Sequence, residues 1–213
     1  MPDLAALATA ARGLLPAGVA VAASDPAVLH PLLPGEALPG AVPRRLAEFS
    51  AGRAAARAAM VELGLPPRAV PQASDRAPAW PQGVTGTITH SATACLAALR
   101  LGSGGIGLDL EPDEALERRI WDMILLPEER AWVEDQPRPG RAARQIFCAK
   151  EAAYKAQYPG SGQFFGFETL RIRVEGAGFA AIFQTGIGGF RAGGRISGGL
   201  AVLEGHILAA AWI

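Results

Sequence analysis

Two carboxylates, Asp109 and Glu111, stand two positions apart in the stretch GIGLDLEP, and a third, Glu151, lies in AKEAAYK beside the chain's only lysines, Lys150 and Lys155. On a strand, Asp109 and Glu111 share one face about 6.6 Å apart, with Ile106, Leu108 and Leu110 on the other. Acids so placed repel unless something positive lies between them. One reading is an antiparallel strand with a wet polar face. The other is a Mg²⁺ site, since that ion takes oxygen ligands from a few carboxylates and completes its shell with water and substrate phosphate. On a helix, Glu151 and Lys155 share a face, either as an ordinary ion pair worth about 0.2–0.5 kcal/mol or as working groups. With Lys150 they would add one metal carboxylate and two cations for phosphate, the parts that phosphoryl-type transfer needs. A further candidate is GTITHS, where His90 follows Thr89: a satisfied core histidine, or a contact to an anion or hydroxyl.

The elements that must carry these residues are readable in outline. RRLAEFSAGRAAARAAMVELG has apolar residues at helical intervals (Leu46, Phe49, Ala56, Met60, Leu63) and stops at Gly64 before Pro66 and Pro67. RAVPQASDRAPAWPQGV is proline-rich and aperiodic, hence a loop. TGTITHS and ACLAALRL read as strands, GSGG as a turn, and IGLDLE as the returning strand of a hairpin. A helical region follows from about Pro127 to Tyr158, and FETLRIRV, GFAAIFQT and GHILAAAWI suggest a closing strand meander. The class is α+β, with a division expected near the middle, 1–105 and 106–213. Gly102, Gly104 and Gly107 spell G-x-G-x-x-G, but they run into an alternating strand rather than a helix, so no dinucleotide site is read from them.

Composition excludes several function classes. A chain of 213 residues, 50% hydrophobic and 19% charged, is a globular protein able to bury a substantial core. Its 20 basic and 20 acidic residues cancel, so no global field draws it to nucleic acid or to an anionic membrane, and any anion must be gripped locally. Cys95 and Cys148 are too few for a disulfide framework and read as two reduced thiols. The apolar N-terminal stretch imitates a signal peptide, but Asp3 stands where a basic region belongs, and Arg12 and Pro16 interrupt it. No apolar run is long enough to span a bilayer. A cytoplasmic protein is expected.

WPQGVTGTITH, IGLDLEP and IFCAKEAAYKAQYP, in this order and spacing, resemble the 4′-phosphopantetheinyl transferases of the siderophore-synthetase type, whose (I/V)G-(I/V/L)-D-x-E and F-x-x-K-E-x-x-x-K motifs are both intact. The likeness extends over the helix from Arg44 and the DRAPAWP loop to Pro159, and weakly to GHILAAAWI. It implies two similar α/β subdomains about a pseudo-twofold axis, with coenzyme A in the cleft between them. The implied enzyme is a Mg²⁺-dependent, monomeric one that moves phosphopantetheine from coenzyme A to a serine of an apo acyl or peptidyl carrier protein and releases adenosine 3′,5′-bisphosphate. Matching position by position, the resemblance gives Asp109, Glu111 and Glu151 as ligands of Mg²⁺. Lys150, Lys155 and Arg53 would meet phosphates, and Arg45, Arg76 and His90, with Thr89 beside it, would surround the nucleotide and its 3′-phosphate. Glu151, directly or through a metal-bound water, is the implied base for the carrier serine, and Lys155 its catalytic partner. One segment departs from the pattern: after the histidine, members commonly carry Cys, a small residue, Gly and an aromatic, whereas this chain reads HSATACL.

Two other classes compete. A non-catalytic binder of coenzyme A or of a carrier protein would keep the basic residues but not all three acids. The other is a different Mg²⁺-dependent phosphotransferase or hydrolase, for which the sequence has no Walker-type loop and no second metal-ligand cluster.

Overall fold

The computed structural model describes residues 1–213, which divide into two compact units, Met1–Gly104 and Gly105–Ile213. In the first, helix α1 (Leu4–Leu14) opens on Asp3, whose carboxylate accepts from the amides of Ala5 and Ala6 at 2.9 and 3.1 Å, satisfying donors that a helix start leaves free. Strand β1 (Ala20–Ser24) follows, so the apolar N-terminal stretch supplies a helix and an edge strand. Helix α2 (Pro43–Glu62) begins on a proline and ends where Gly64 adopts φ +74°, both in the places that backbone geometry favours. Its packing face is built from small residues, Ala51, Gly52, Ala55, Ala56 and Ala59, all buried. A methyl group at Gly52 would meet Ile88 Cγ2 at 2.9 Å, so the bare backbone there lets the helix close onto strand β2 (Val84–His90). The sheet is antiparallel in the order β1-β3-β2, with β3 (Cys95–Leu101) joined to β2 by a tight turn that pairs His90 with Cys95.

The second unit holds a five-stranded antiparallel sheet in the order β4-β8-β7-β6-β5. Its strands are β4 (Ile106–Pro112), β5 (Leu170–Glu175), β6 (Gly178–Phe183), β7 (Arg195–Leu203) and β8 (His206–Trp212). Helices α3 (Trp121–Ile124), α4 (Pro127–Glu134) and α5 (Pro139–Ser161) lie between β4 and β5 in the chain. Ile146, Ala149, Ala153, Phe179, Phe183 and Ile207 belong to the core of this unit. No helix of the chain is long and apolar enough to cross a membrane.

Three sequence expectations change. The hairpin expected between ACLAALRL and IGLDLE does not form: β3 pairs with β1 and β2, whereas β4 pairs with β8, Asp109 opposite Ala209 and Glu111 opposite Ile207. The helical region from Pro127 is two helices, because Pro137 and Pro139 interrupt it and Pro139 restarts it as the first residue of α5. Strand β7 gives no sequence signal because Gly198 and Gly199 weaken its β pattern; at Gly198 the Phe179 ring fills the space of a side chain.

The packing of α5 on β4 positions the site. Ala156 O and Ala152 O lie where side chains on Gly105 and Gly107 would have to be. Two residues further along the strand, the Cys148 thiol donates to Asp109 O at 3.4 Å; two further, Arg144 Nη1 donates to Glu111 Oε2 at 2.8 Å. Four helix residues advance about 6.0 Å and two strand residues about 6.6 Å, so one ridge of α5 stays in step with one face of β4. That face is therefore not wet, as the plain strand reading expected: Asp109 is only 5% exposed.

Candidate active site

Glu151 and Lys155 flank that ridge, each one residue before a member of it, and so lean over the same strand. Lys155 Nζ donates to Asp109 Oδ1 at 2.6 Å and to Leu108 O at 3.0 Å, which makes it a bridge from helix to strand and not simply one end of an i,i+4 pair. Burial opposes its charge, but the Asp109 and Glu151 carboxylates hold its pKa above the ordinary lysine value. Glu111 has its pKa raised, first by burial and then by the Asp109 charge, against the opposing effect of Arg144. Glu151 is likewise raised by burial, with Asp109 adding to the effect and Lys155 opposing it. The Asp109 charge thus acts on both glutamates.

The donors suit a hard divalent ion in kind, being carboxylate oxygens without thiol or imidazole. Their side chains do not form a ready-made cage: no group of three His, Cys, Asp or Glu side chains is placed to hold a metal as it stands. Lys155 takes up Asp109 Oδ1, and Arg144 takes up Glu111 Oε2. A cavity of about 130 Å³ is lined by Lys150, Glu151, Tyr154, Phe165, Gly166, Phe167 and Leu170. It is mostly apolar.

Lys150 departs from its expected role. It is 2% exposed, and its ammonium is committed to Glu129 at 2.7 Å, Ile124 O at 2.7 Å and Phe167 O at 2.9 Å. Burial lowers its pKa, and burial raises that of Glu129, each held back by the other's charge. Glu129 also accepts from Leu126 N at 2.7 Å and Ile172 N at 2.5 Å. This hub ties α3, α4, α5 and β5 together at the wall of the cavity that Lys150 also lines, with three acceptors taking up its ammonium. One residue along a helix is a turn of about 100°, and Lys150 is buried where Glu151 is partly exposed.

The remaining candidates belong to the first unit. Arg45 Nη1 lies 2.8 Å from His90 Nε2 at the end of β2, and Glu48 receives Arg45 and Arg44 at 3.3 and 3.1 Å. Partial burial would raise the Glu48 pKa, but these arginines, with His90, hold it below the usual carboxylate range. Thr89 is buried beside the exposed His90. Arg53 is also buried: its guanidinium sits 3.7 Å from the Phe49 ring centroid, Nε donates to Val70 O at 3.0 Å, and desolvation lowers its pKa to about 10. Arg76 is exposed, in a left-handed backbone conformation at φ +71° within the proline-rich loop. The divergent segment after His90 is the β2–β3 turn, closed by Ser91 N on Ala94 O at 2.8 Å, with the Ser91 hydroxyl accepting from Thr93 N and Ala94 N. Two contributors were not singled out from the sequence, Arg144 and Glu129. The spacing of Arg144 four residues before Cys148 was a usable sign; Glu129 looks like any helix-start acid.

Residues 34–100 match the profile of the 4′-phosphopantetheinyl transferase N-terminal domain, and residues 105–209 that of the 4′-phosphopantetheinyl transferase superfamily. The chain is 39% identical to the 4′-phosphopantetheinyl transferase PptT of Mycobacterium tuberculosis over 160 residues, covering 71% of this chain and 69% of that protein. It is 38% identical to the 4′-phosphopantetheinyl transferase Npt of Nocardia iowensis over 136 residues, 63% of this chain and 61% of the relative. Enterobactin synthase component D of Salmonella typhi is 34% identical over 131 residues, 61% of this chain and 55% of that protein. The match thus spans under two thirds of the Nocardia and Salmonella relatives. With both profiles lying over the two units, and the acids, Lys155 and Arg144 all inside the second match, the chain belongs to the 4′-phosphopantetheinyl transferase superfamily.

Proposed function

We propose that this protein transfers the phosphopantetheine arm of coenzyme A to a serine hydroxyl of an apo carrier protein. The observation that carries the proposal is the meeting of α5 with β4, where Lys155 is bonded to Asp109 and the Asp109 charge acts on both Glu111 and Glu151. Asp109, Glu111 and Glu151 are the residues that would hold Mg²⁺. That ion, when bound, supplies charge to the diphosphate as the bond to the leaving nucleotide breaks.

The chain's own groups do the rest. Glu151 takes the proton of the attacking serine, and burial, which raises its pKa, makes its carboxylate a stronger base than an exposed glutamate. Lys155, anchored on Asp109 and Leu108 O, presents a fixed positive charge to the phosphate where negative charge builds up. Burying these charges together makes each interaction stronger than it would be in water. The mostly apolar cavity that Glu151 lines is the candidate seat for the largely aliphatic pantetheine chain. Arg45, Arg76, His90 and Thr89, with Arg53 beneath them, are the candidates for the nucleotide and its 3′-phosphate, where arginine forks suit phosphate oxygens. Lys150 is left out of the phosphate set and serves to hold the cavity wall. Incubation with coenzyme A, Mg²⁺ and a panel of apo carrier proteins should add one phosphopantetheine mass to a carrier and release adenosine 3′,5′-bisphosphate. The gain should vanish with EDTA or in Asp109→Ala. Transfer undiminished by both would remove the acids from the mechanism; no mass gain on any carrier, with coenzyme A bound, would favour a binding module instead.

A further inference from the structure

The structure assigns to Arg144 the positioning of Glu111, a role that rests on the proposed cation site of Asp109, Glu111 and Glu151. Arg144 is the last member of the α5 ridge that runs over Gly105, Gly107 and Asp109, so the same in-step packing that seats the helix delivers its guanidinium to Glu111. Nη1 donates to Oε2 at 2.8 Å while Nη2 reaches Ala115 O at 3.4 Å, and the planar group thereby spans the carboxylate and the chain leaving β4. Both side chains are largely buried, at 17% and 20% exposure. As a device for stability the arrangement is poor. Two desolvated charges roughly cancel their own attraction, and Arg144 Nε is buried without a hydrogen-bond partner.

What the contact does provide is orientation. With Oε2 held by Arg144, Oε1 is the Glu111 oxygen left for a cation, and the carboxylate cannot swing away along the strand end. Charge points the same way. Asp109, Glu111 and Glu151 against Arg144 and Lys155 leave one net negative charge, so a divalent ion turns the cluster positive by one, the sign a diphosphate needs. Without Arg144 the cluster with its ion would be neutral. Hydrogen-bonding partners behind a ligating carboxylate commonly matter by 10–100-fold in metal affinity.

The test is Mn²⁺ binding to the full chain without coenzyme A, followed by electron paramagnetic resonance, for wild type, Asp109→Ala, R144Q and R144K. Wild type should bind one Mn²⁺ that Asp109→Ala loses. R144Q should bind it about tenfold more weakly despite its extra negative charge, and R144K, which keeps a cationic donor toward Glu111, should recover most of the loss. Circular dichroism and melting check the fold; if R144Q does not fold, R144K decides alone, with a two- to threefold weakening expected from losing the fork to Ala115 O. Affinity equal to or tighter than wild type in the folded variant overturns the Arg144 assignment and leaves the cation site standing. Mn²⁺ that Asp109→Ala binds as well as wild type overturns the cation site, and the role of Arg144 with it.

Discussion

Lys150→Met separates two readings of the K-E-x-x-x-K motif. If Lys150 met a phosphate, its loss would weaken coenzyme A binding and hardly touch stability. The structure instead gives its ammonium three acceptors at 2.7, 2.7 and 2.9 Å in a 2% exposed position. Removing one partner of a buried ion pair costs about 3–5 kcal/mol, because the other charge is left without compensation. The lower end applies here, since Glu129 keeps the amides of Leu126 and Ile172 as donors. About 3 kcal/mol corresponds to a fall in melting temperature of roughly 14 °C for a domain of about 100 residues.

The loss should depend on pH with a definite sign. The Glu129 pKa is already raised by burial, and without Lys150 nothing but two amides opposes that rise. A carboxyl with a raised folded pKa favours the folded state below its ordinary range, and that contribution is lost as pH rises through the raised value. The deficit of Lys150→Met should therefore be greatest near pH 8 and shrink toward pH 5. Adding Glu129→Gln to Lys150→Met should recover part of the stability at pH 8. Urea unfolding of the four proteins of this cycle, with calorimetry of coenzyme A, is the assay. A Lys150→Met variant within about 0.5 kcal/mol of wild type that binds coenzyme A tenfold less well would refute the buried hub and restore the phosphate contact.

Lys155→Met should lower turnover about 10²-fold or more, the scale of losing one preorganised charge at a transition state. It should also lower the melting temperature by several degrees, because it strands Asp109, which is 5% exposed; unchanged turnover would sink the catalytic role, and an unchanged melting temperature the buried one. Coenzyme A should bind more tightly than its 3′-dephospho form, and His90→Ala or Arg76→Ala should narrow the gap; equal binding of both ligands by wild type would remove the basis for that set.

How much of this was legible in the sequence depends on whether the signal is a period or a partner. Helix α2 was readable because apolar spacing, Pro43 and Gly64 all concern neighbours along the chain. The pairing of β4 was not, since Gly-rich residues 102–105 look like a hairpin turn, and only the distant β8 reveals that the strand goes elsewhere. Strand β7 hid for a related reason, its central Gly198 being explained by a ring on another strand.

The candidate site shows the same division more sharply. That Asp109 and Glu111 share a face follows from alternation alone, and the structure keeps it. What lies over that face does not follow, and here the sequence held an unread clue. Gly105 and Gly107 occupy the same alternate positions as the two acids, so a face that is bare at one end and acidic at the other is one that a helix approaches closely and then stops short of. The helix itself repeats the message at intervals of four: Ala156, Ala152, Cys148, then Arg144, small residues giving way to a cation where the strand gives way to carboxylates. Periodicity on each element separately suggests a strand and a helix. Matching the two periods, about 6.6 Å against about 6.0 Å, brings Arg144 to Glu111 and sets Lys155 near Asp109, whereas Lys150, about 100° around from Glu151, must turn inward. The identity of its partner, Glu129, remains beyond such matching, because nothing in the local pattern of α4 marks that acid as the one to be buried.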